Sequence, residues 1–226
     1  MEIINGKIVD VQPGYITIRA SYDNIDRMIL RQYDEVQIGL EDGRKISPEQ
    51  RRKAFALVGE IAAWSGYERD EAHLMLKHDF MVKHLDQLQR ELFSLSDCDV
   101  TTAKEYIEYL IDFCLTFDVP THVPLVELCD DVQKYVYACL IHKKCAVCGK
   151  KAELHHVDRV GMGNDRNEIV HEGRRCLPLC REHHMEVDQI GDDALCARYH
   201  LSPVPIDARI IKTYRLRTKK EHADGS

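Results

Sequence analysis

The sequence predicts an α+β fold: a small N-terminal sheet with helices, then a C-terminal module stabilised by a metal. Three observations carry this expectation. Residues 1–40 alternate apolar and polar positions in short runs, and Ser47-Pro48-Glu49-Gln50 opens a helical pattern that continues, with breaks, to Ile141. Cys145-x2-Cys148 and Cys180-x2-His183 then supply two closely spaced pairs of soft ligands.

In chain order, Glu2-Ile3-Ile4, Lys7-Ile8-Val9 and Tyr15-Ile16-Thr17-Ile18 flank the turn signal Pro13-Gly14 and read as strands of a small antiparallel sheet. Val36 to Leu40 resembles another strand, closed by Glu41-Asp42-Gly43. At Ser47 the residue types suit a capping box: Ser47 caps, Pro48 fits the first turn and Gln50 returns a hydrogen bond. Ala54, Leu57, Val58, Ile61 and Ala62 form the apolar stripe of the helix that follows, which ends near Gly66. Arg69 to Phe93 is expected to be helical but charged. Thr102-Ala103-Lys104-Glu105 reads as a second capping box, leading into Tyr106, Ile107, Leu110, Ile111 and Cys114. After Pro120 and Pro124, Val126 to Ile141 reads as one helix. The pattern stops at His142-Lys143-Lys144, the expected domain joint. The predicted organisation is 1–142, 143–202 and a basic tail at 203–226; from Arg209 to Lys220 there are six basic residues and no acidic one. That segment reads either as a disordered tail or as a basic arm.

The 226 residues are 44% hydrophobic, enough for a core, and no window approaches the ~20 apolar residues of a membrane span. The N-terminus lacks a basic stretch followed by an apolar block, so residence in the cytoplasm is expected, with no membrane partner. Nine cysteines, odd in number and spread along the chain, suit metal ligation and buried thiols better than a disulfide framework. Cys114 and Cys139 lie in apolar periodic runs and are expected in the core. The net charge of -7 argues weakly against a nucleic-acid partner. It averages two unlike halves: 15 Lys and Arg against 25 Asp and Glu in residues 1–142, and 16 against 13 in residues 143–226. A locally basic surface is enough to hold phosphate. Arg44, Lys45, Arg51, Arg52 and Lys53 surround the first capping box, either as a solvated helix start or as a phosphate contact that relieves their unfavourable place at the positive end of the helix dipole.

The four ligands Cys145, Cys148, Cys180 and His183 suit the tetrahedral demands of Zn²⁺. Cys176 is the nearest competitor, but its Leu-Pro-Leu setting favours packing. Zinc closed by four protein ligands has no open position, so this site is structural and chemistry must come from the residues beside it. His155, His156, His171 and His184 are the imidazoles left over. An imidazole near its free pKa can take a proton from water at physiological pH. On a strand, however, His155 and His156 point to opposite faces.

Two resemblances give these residues a setting. The basic Ser-Pro-Gln helix start, Phe93-Ser94-Leu95-Ser96 before Thr101-Thr102-Ala103, and the Glu105 to Ile111 helix make Lys45 to Val119 similar to the phage lambda Orf (NinB-like) recombination mediators. That resemblance implies a homodimer that binds single-stranded, gapped or branched DNA and cooperates with the host single-strand-binding protein. Residues 145–188 resemble the HNH, or ββα-metal, nucleases, in which a zinc knuckle holds a hairpin and a helix around a separate catalytic metal. The resemblance implies that His156 is the general base, and that His155 and His184, with Asp188 one turn on, hold Mg²⁺ or Mn²⁺. The middle letter of the motif falls on Asn164, Asn167 or His171; His171 is preferred, with Asn167 next. Arg159 and Arg166 are candidate phosphate contacts or plain loop charges. The expectation is a metal-dependent DNA endonuclease of phage recombination. Its alternative is a non-catalytic mediator whose zinc module widens the DNA footprint.

Overall fold

Alternation in the first residues does produce a hairpin in the computed structural model, which describes residues 6–22, 25–31, 43–83, 93–158 and 171–216. Strands β1 (Gly6–Gln12) and β2 (Tyr15–Ala20) pair antiparallel around Pro13-Gly14, where Gly14 takes the left-handed backbone (φ 93°) that a side chain would oppose. The register shifts between Ile8 and Asp10. Helix α1 (Ile25–Arg31) follows. These elements belong to a unit spanning residues 1–43, distinct from the unit of residues 44–226. The strand expected at Val36 to Leu40 lies outside the described residues.

In the second unit, helix α2 (Pro48–Ser65) begins as its sequence dictates. Ser47 Oγ accepts from the Gln50 amide at 3.0 Å and Gln50 Oε1 accepts from the Ser47 amide at 3.1 Å, so two otherwise unpartnered donors are satisfied reciprocally. Gly66 in the left-handed region (φ 79°) ends the helix. Its apolar stripe packs against α3 (Arg69–Lys83) and α4 (Val100–Phe117). The cap of α4 departs from the expectation: Asp99, not Thr102, is the N-cap, accepting from the Thr102 amide at 2.8 Å and from its hydroxyl at 2.6 Å. Asp accepts as well as Thr, and Asp99 starts the helix three residues earlier. The chain just before α2 pairs with the chain just before α4, through Ile46 N to Cys98 O (2.8 Å) and Val100 N to Arg44 O (3.0 Å), so the two helix starts are clamped together.

The single helix expected from Val126 to Ile141 is two. Helix α5 (Leu125–Leu128) stops at Cys129, and α6 (Val132–His142) restarts with Asp131 accepting from the Gln133 and Lys134 amides. An aspartate that bonds its own following amides competes with helix continuation, which is why the break falls there.

The expected joint at His142-Lys143-Lys144 is not a boundary between compact units. Lys143 takes a left-handed backbone (φ 53°) that turns the chain directly into the metal-ligand segment, and the Ala152 amide returns to the Lys143 carbonyl at 2.8 Å. Strands β3 (Glu153–His156), β4 (Arg175–Leu179) and β5 (Val204–Pro205) make an antiparallel sheet in the order β3-β4-β5. Between β4 and β5 run helices α7 (Arg181–Ile190) and α8 (Asp192–Tyr199), and α9 (Ala208–Tyr214) is the last element of the described residues. Helix α6 packs on α4 on one side and on β4, β5 and α9 on the other, so one apolar core runs from Ile46 to Ile210. The tail expected at 203–226 is therefore part of the fold as far as residue 216: Val204, Ile206 and Ile210 are buried while Arg209 and Lys212 stay exposed, so the apolar side chains are buried without desolvating these charges. Among the described residues no helix is long and apolar enough to cross a membrane.

Candidate metal and catalytic centre

The first ligand pair sits on a knuckle turn. The Cys145 amide bonds the Lys150 carbonyl (2.7 Å), Gly149 in the left-handed region (φ 69°) donates back to the Cys145 carbonyl (2.8 Å), and Ala146 is tied to Pro178 of β4 (3.0 Å). The second pair opens α7, with Cys180 as its N-cap and His183 in its first turn. Spacing and these anchors bring Cys145, Cys148, Cys180 and His183 together with all four donor atoms within 4.8 Å of one another. The edges include Cys148 Sγ to Cys180 Sγ at 3.6 Å and Cys145 Sγ to His183 Nδ1 at 3.5 Å. A tetrahedron built on zinc–sulfur bonds of about 2.3 Å has edges of roughly 3.7 Å, so the donor set fits zinc.

The thiols are poised unequally. Desolvation pushes Cys148 up to about 12 and raises Cys145. For Cys180, desolvation is outweighed by hydrogen bonds from the His183 backbone and ring and from the other two thiols, which bring it down to about 7. To ligate as thiolates in so small a space, the three sulfurs would need a cation to neutralise them, the charge logic of a metal cage. Cys176 is buried in the core with its thiol pushed up to about 12 by desolvation, and is not among the four; Cys114 and Cys139 are likewise buried.

Beside the cage, β3 and β4 pair in regular register from Glu153↔Leu179 to His156↔Cys176, so nothing kinks the strand and the two adjacent histidines serve different partners. His155 Nδ1 lies 3.2 Å from His184 Nε2 on α7, and its Nε2 lies 2.7 Å from Asp192 Oδ1 on α8. His156 Nε2 lies 3.0 Å from Nδ1 of the buried His171, which stands at the approach to β4. Desolvation first, then the neighbouring charges of His171, His155 and Arg174, lowers the His156 pKa, so its imidazole is neutral and keeps a lone pair at neutral pH.

Of the residues singled out from sequence, the structure thus brings together the four cage ligands, the His155–His184 pair and the His156–His171 pair. Asp188, expected to join His155 and His184, instead faces the other ring nitrogen of His184, with Oδ2 3.8 Å from Nδ1. The three donors do not gather within the distance that the cage ligands do. Asn164, Asn167, Arg159 and Arg166 lie outside the described residues. In the basic cluster, Lys53 is committed to the fold: Nζ bonds the Cys129 carbonyl (3.1 Å), Asp130 (3.1 Å) and Glu49 (3.2 Å), and Arg51 donates to the Ser96 carbonyl. Burial of an ammonium needs such partners, which withdraws Lys53 from a phosphate role. Arg44, Lys45 and Arg52 are exposed. Asp192 was missed by sequence reasoning; Gly191-Asp192 marks a helix boundary there, but no spacing rule links it to His155, 37 residues away.

Residues 21–217 match a protein-family model described as "Putative HNHc nuclease". No curated protein and no solved structure matches the chain.

Proposed function

The chain belongs to the HNHc nuclease family, and from that premise we propose that it is a DNA endonuclease in which His156 is the general base. One observation carries this reading: a desolvated, neutral His156 is held by His171 on the strand that also carries the His155–His184 pair. With His156 Nε2–H donating to His171 Nδ1, the lone pair remains on His156 Nδ1. That nitrogen takes the proton of a water attacking the scissile phosphorus, the bond from phosphorus to the 3′ oxygen breaks, and the products are 5′-phosphate and 3′-hydroxyl ends. His155 and His184 would hold Mg²⁺ or Mn²⁺, which supplies Lewis-acid stabilisation of the leaving 3′ oxygen. The Cys3His cage, loaded with zinc, keeps β3, β4 and α7 in register around these groups.

The resemblance of Lys45 to Val119 to the Orf mediators supports single-stranded, gapped or branched DNA as the substrate in phage recombination. It also supports a homodimer as the working form and the host single-strand-binding protein as a partner in the cytoplasm. Exposed Arg44, Lys45 and Arg52 are the described basic residues suited to the DNA backbone. Purified protein is incubated with single-stranded, gapped and branched DNA, in Mg²⁺, Mn²⁺ or EDTA, alongside His156→Ala. Metal-dependent cutting by wild type and none by the variant is the expected result. Binding without cutting by both proteins on every substrate would overturn the nuclease reading and leave a non-catalytic mediator.

A further inference from the structure

An acidic residue that the motif does not contain closes on the His155 ring. Asp192 Oδ1 lies 2.7 Å from His155 Nε2, and both side chains are largely buried, 19% and 12% exposed. An ionised carboxylate only accepts hydrogen bonds, so the contact requires the His155 proton on Nε2. The lone pair is then left on Nδ1, the atom that faces His184 Nε2 at 3.2 Å. Building on the nuclease reading, we infer that Asp192 is a positioning residue: it fixes the tautomer and ring orientation of His155, so that Nδ1 and His184 Nε2 are presented side by side to a divalent cation.

The arrangement has a second half. With no proton on His155 Nδ1, the 3.2 Å contact is a hydrogen bond only if His184 donates from Nε2. To offer that nitrogen to a cation, His184 must carry its proton on Nδ1 instead, the nitrogen that faces Asp188 Oδ2 at 3.8 Å. At that distance Asp188 stands beside His184 as a charge, not as a hydrogen-bond partner. A carboxylate hydrogen-bonded behind a ligating imidazole, as Asp192 is behind His155, is the arrangement by which proteins fix a histidine's tautomer and raise its basicity toward a metal.

Gly191 is what allows Asp192 to reach. It ends α7 by donating to the Val187 carbonyl at 2.8 Å and begins α8 with no intervening linker, at φ 85° and ψ 161°. That backbone region is open to glycine and closed to residues with a Cβ, although a Cβ here would meet no neighbouring atom within 4 Å. The constraint is one of conformation. It lets α8 start directly at Asp192, whose carboxylate reaches His155 on β3.

The test uses full-length, zinc-loaded protein with ¹⁵N-labelled histidine. Long-range ¹⁵N–¹H correlation of the imidazoles is expected to show His155 as the Nε2–H tautomer before and after Mg²⁺ addition, while His184 changes from Nε2–H to Nδ1–H. Mn²⁺ affinity, read by electron paramagnetic resonance, should fall by about 10–100-fold in Asp192→Ala. It should fall less in Asp192→Asn, which keeps an acceptor, and stay within threefold of wild type in the exposed neighbour variant Asp193→Asn. Zinc content and melting temperature report folding; if Asp192→Ala loses its zinc, Asp192→Asn and the wild-type spectrum decide. His155 found as the Nδ1–H tautomer in wild type, or Mn²⁺ affinity undiminished in both Asp192 variants, overturns the proposal and leaves the nuclease reading intact. Tight, Asp192-dependent Mn²⁺ binding by a wild type that cuts no DNA overturns the nuclease reading and leaves this assignment standing.

Discussion

Leu140→Ala tests whether the helical and metal-binding parts of residues 44–226 form one cooperative body. Leu140 is fully buried on α6, the helix that packs on α4 and also on β4 and β5. Removing its side chain deletes apolar contact and leaves a cavity, at a cost of roughly 2–5 kcal/mol. At about 2–4 °C per kcal/mol for a unit of this size, a loss of ~3 kcal/mol lowers the melting temperature by roughly 6–12 °C. Two further ties carry that loss across the former joint: Tyr135 donates from its buried hydroxyl to the Ala146 carbonyl at 2.9 Å, and Ala146 in turn bonds Pro178 of β4. Far-UV circular dichroism follows the helices and a chromogenic chelator follows zinc release during the same thermal ramp. Both midpoints should coincide in wild type and shift together in the variant, whereas Leu74→Ala, at an exposed position of α3, should move neither by more than about 2 °C. A zinc-release midpoint that stays put while the dichroism midpoint falls would refute the single-body argument and restore a boundary near residue 142.

Other expectations follow from the site and its supports. His156→Ala should lower the rate of DNA cleavage by about 10²–10⁴-fold with little change in melting temperature, measured by single-turnover nicking, because its ring is only part-buried. Cys148→Ser should drop zinc below one per chain by elemental mass spectrometry, while Cys176→Ala retains it, since only the former removes a cage donor. Asp131→Ala should cost about 1 kcal/mol at pH 7 as the α6 cap is lost. The Asp131 pKa is lowered chiefly by the Lys134 amide, with Lys104 adding to it against desolvation. A carboxylate depressed in the folded state contributes its stability above the unfolded value of about 4 and loses it as pH falls through the folded value. The stability gap between wild type and Asp131→Ala should therefore be widest near pH 7 and narrow below about pH 4 in denaturant titrations. No narrowing would show that the carboxylate's charge contributes nothing to the cap.

Much of this centre was legible because its grammar is local. Two residues between ligands is a chelate spacing that a knuckle turn or a helix start satisfies by itself, so the cage could be written down before any fold was known. The same holds for Ser47 and Gln50, whose reciprocal bonds span three residues. Local grammar misled where two residues obeyed the same rule: Asp99 and Thr102 are both good caps, and the pairing of Lys45 with Asp99 across the chain selects the earlier one. It also misled at Ala208–Tyr214, where the apolar residues interleaved with the basic ones are covered by α6 and the segment is a helix of the fold.

Residue types and their spacing fix which atoms are available: a closed set of soft donors, neighbouring imidazoles forced to opposite faces of an extended strand, and helices with marked starts. The tertiary structure alone decided which of those imidazoles meet. His155 reaches from β3 to His184 on α7 and Asp192 on α8, and His156 reaches His171 beside the β3–β4 pairing. The physical reason is range. Ligand spacing and capping are set by bonds a few residues apart, whereas a histidine's tautomer, desolvation and partner are set by whatever the core brings against it from dozens of residues away.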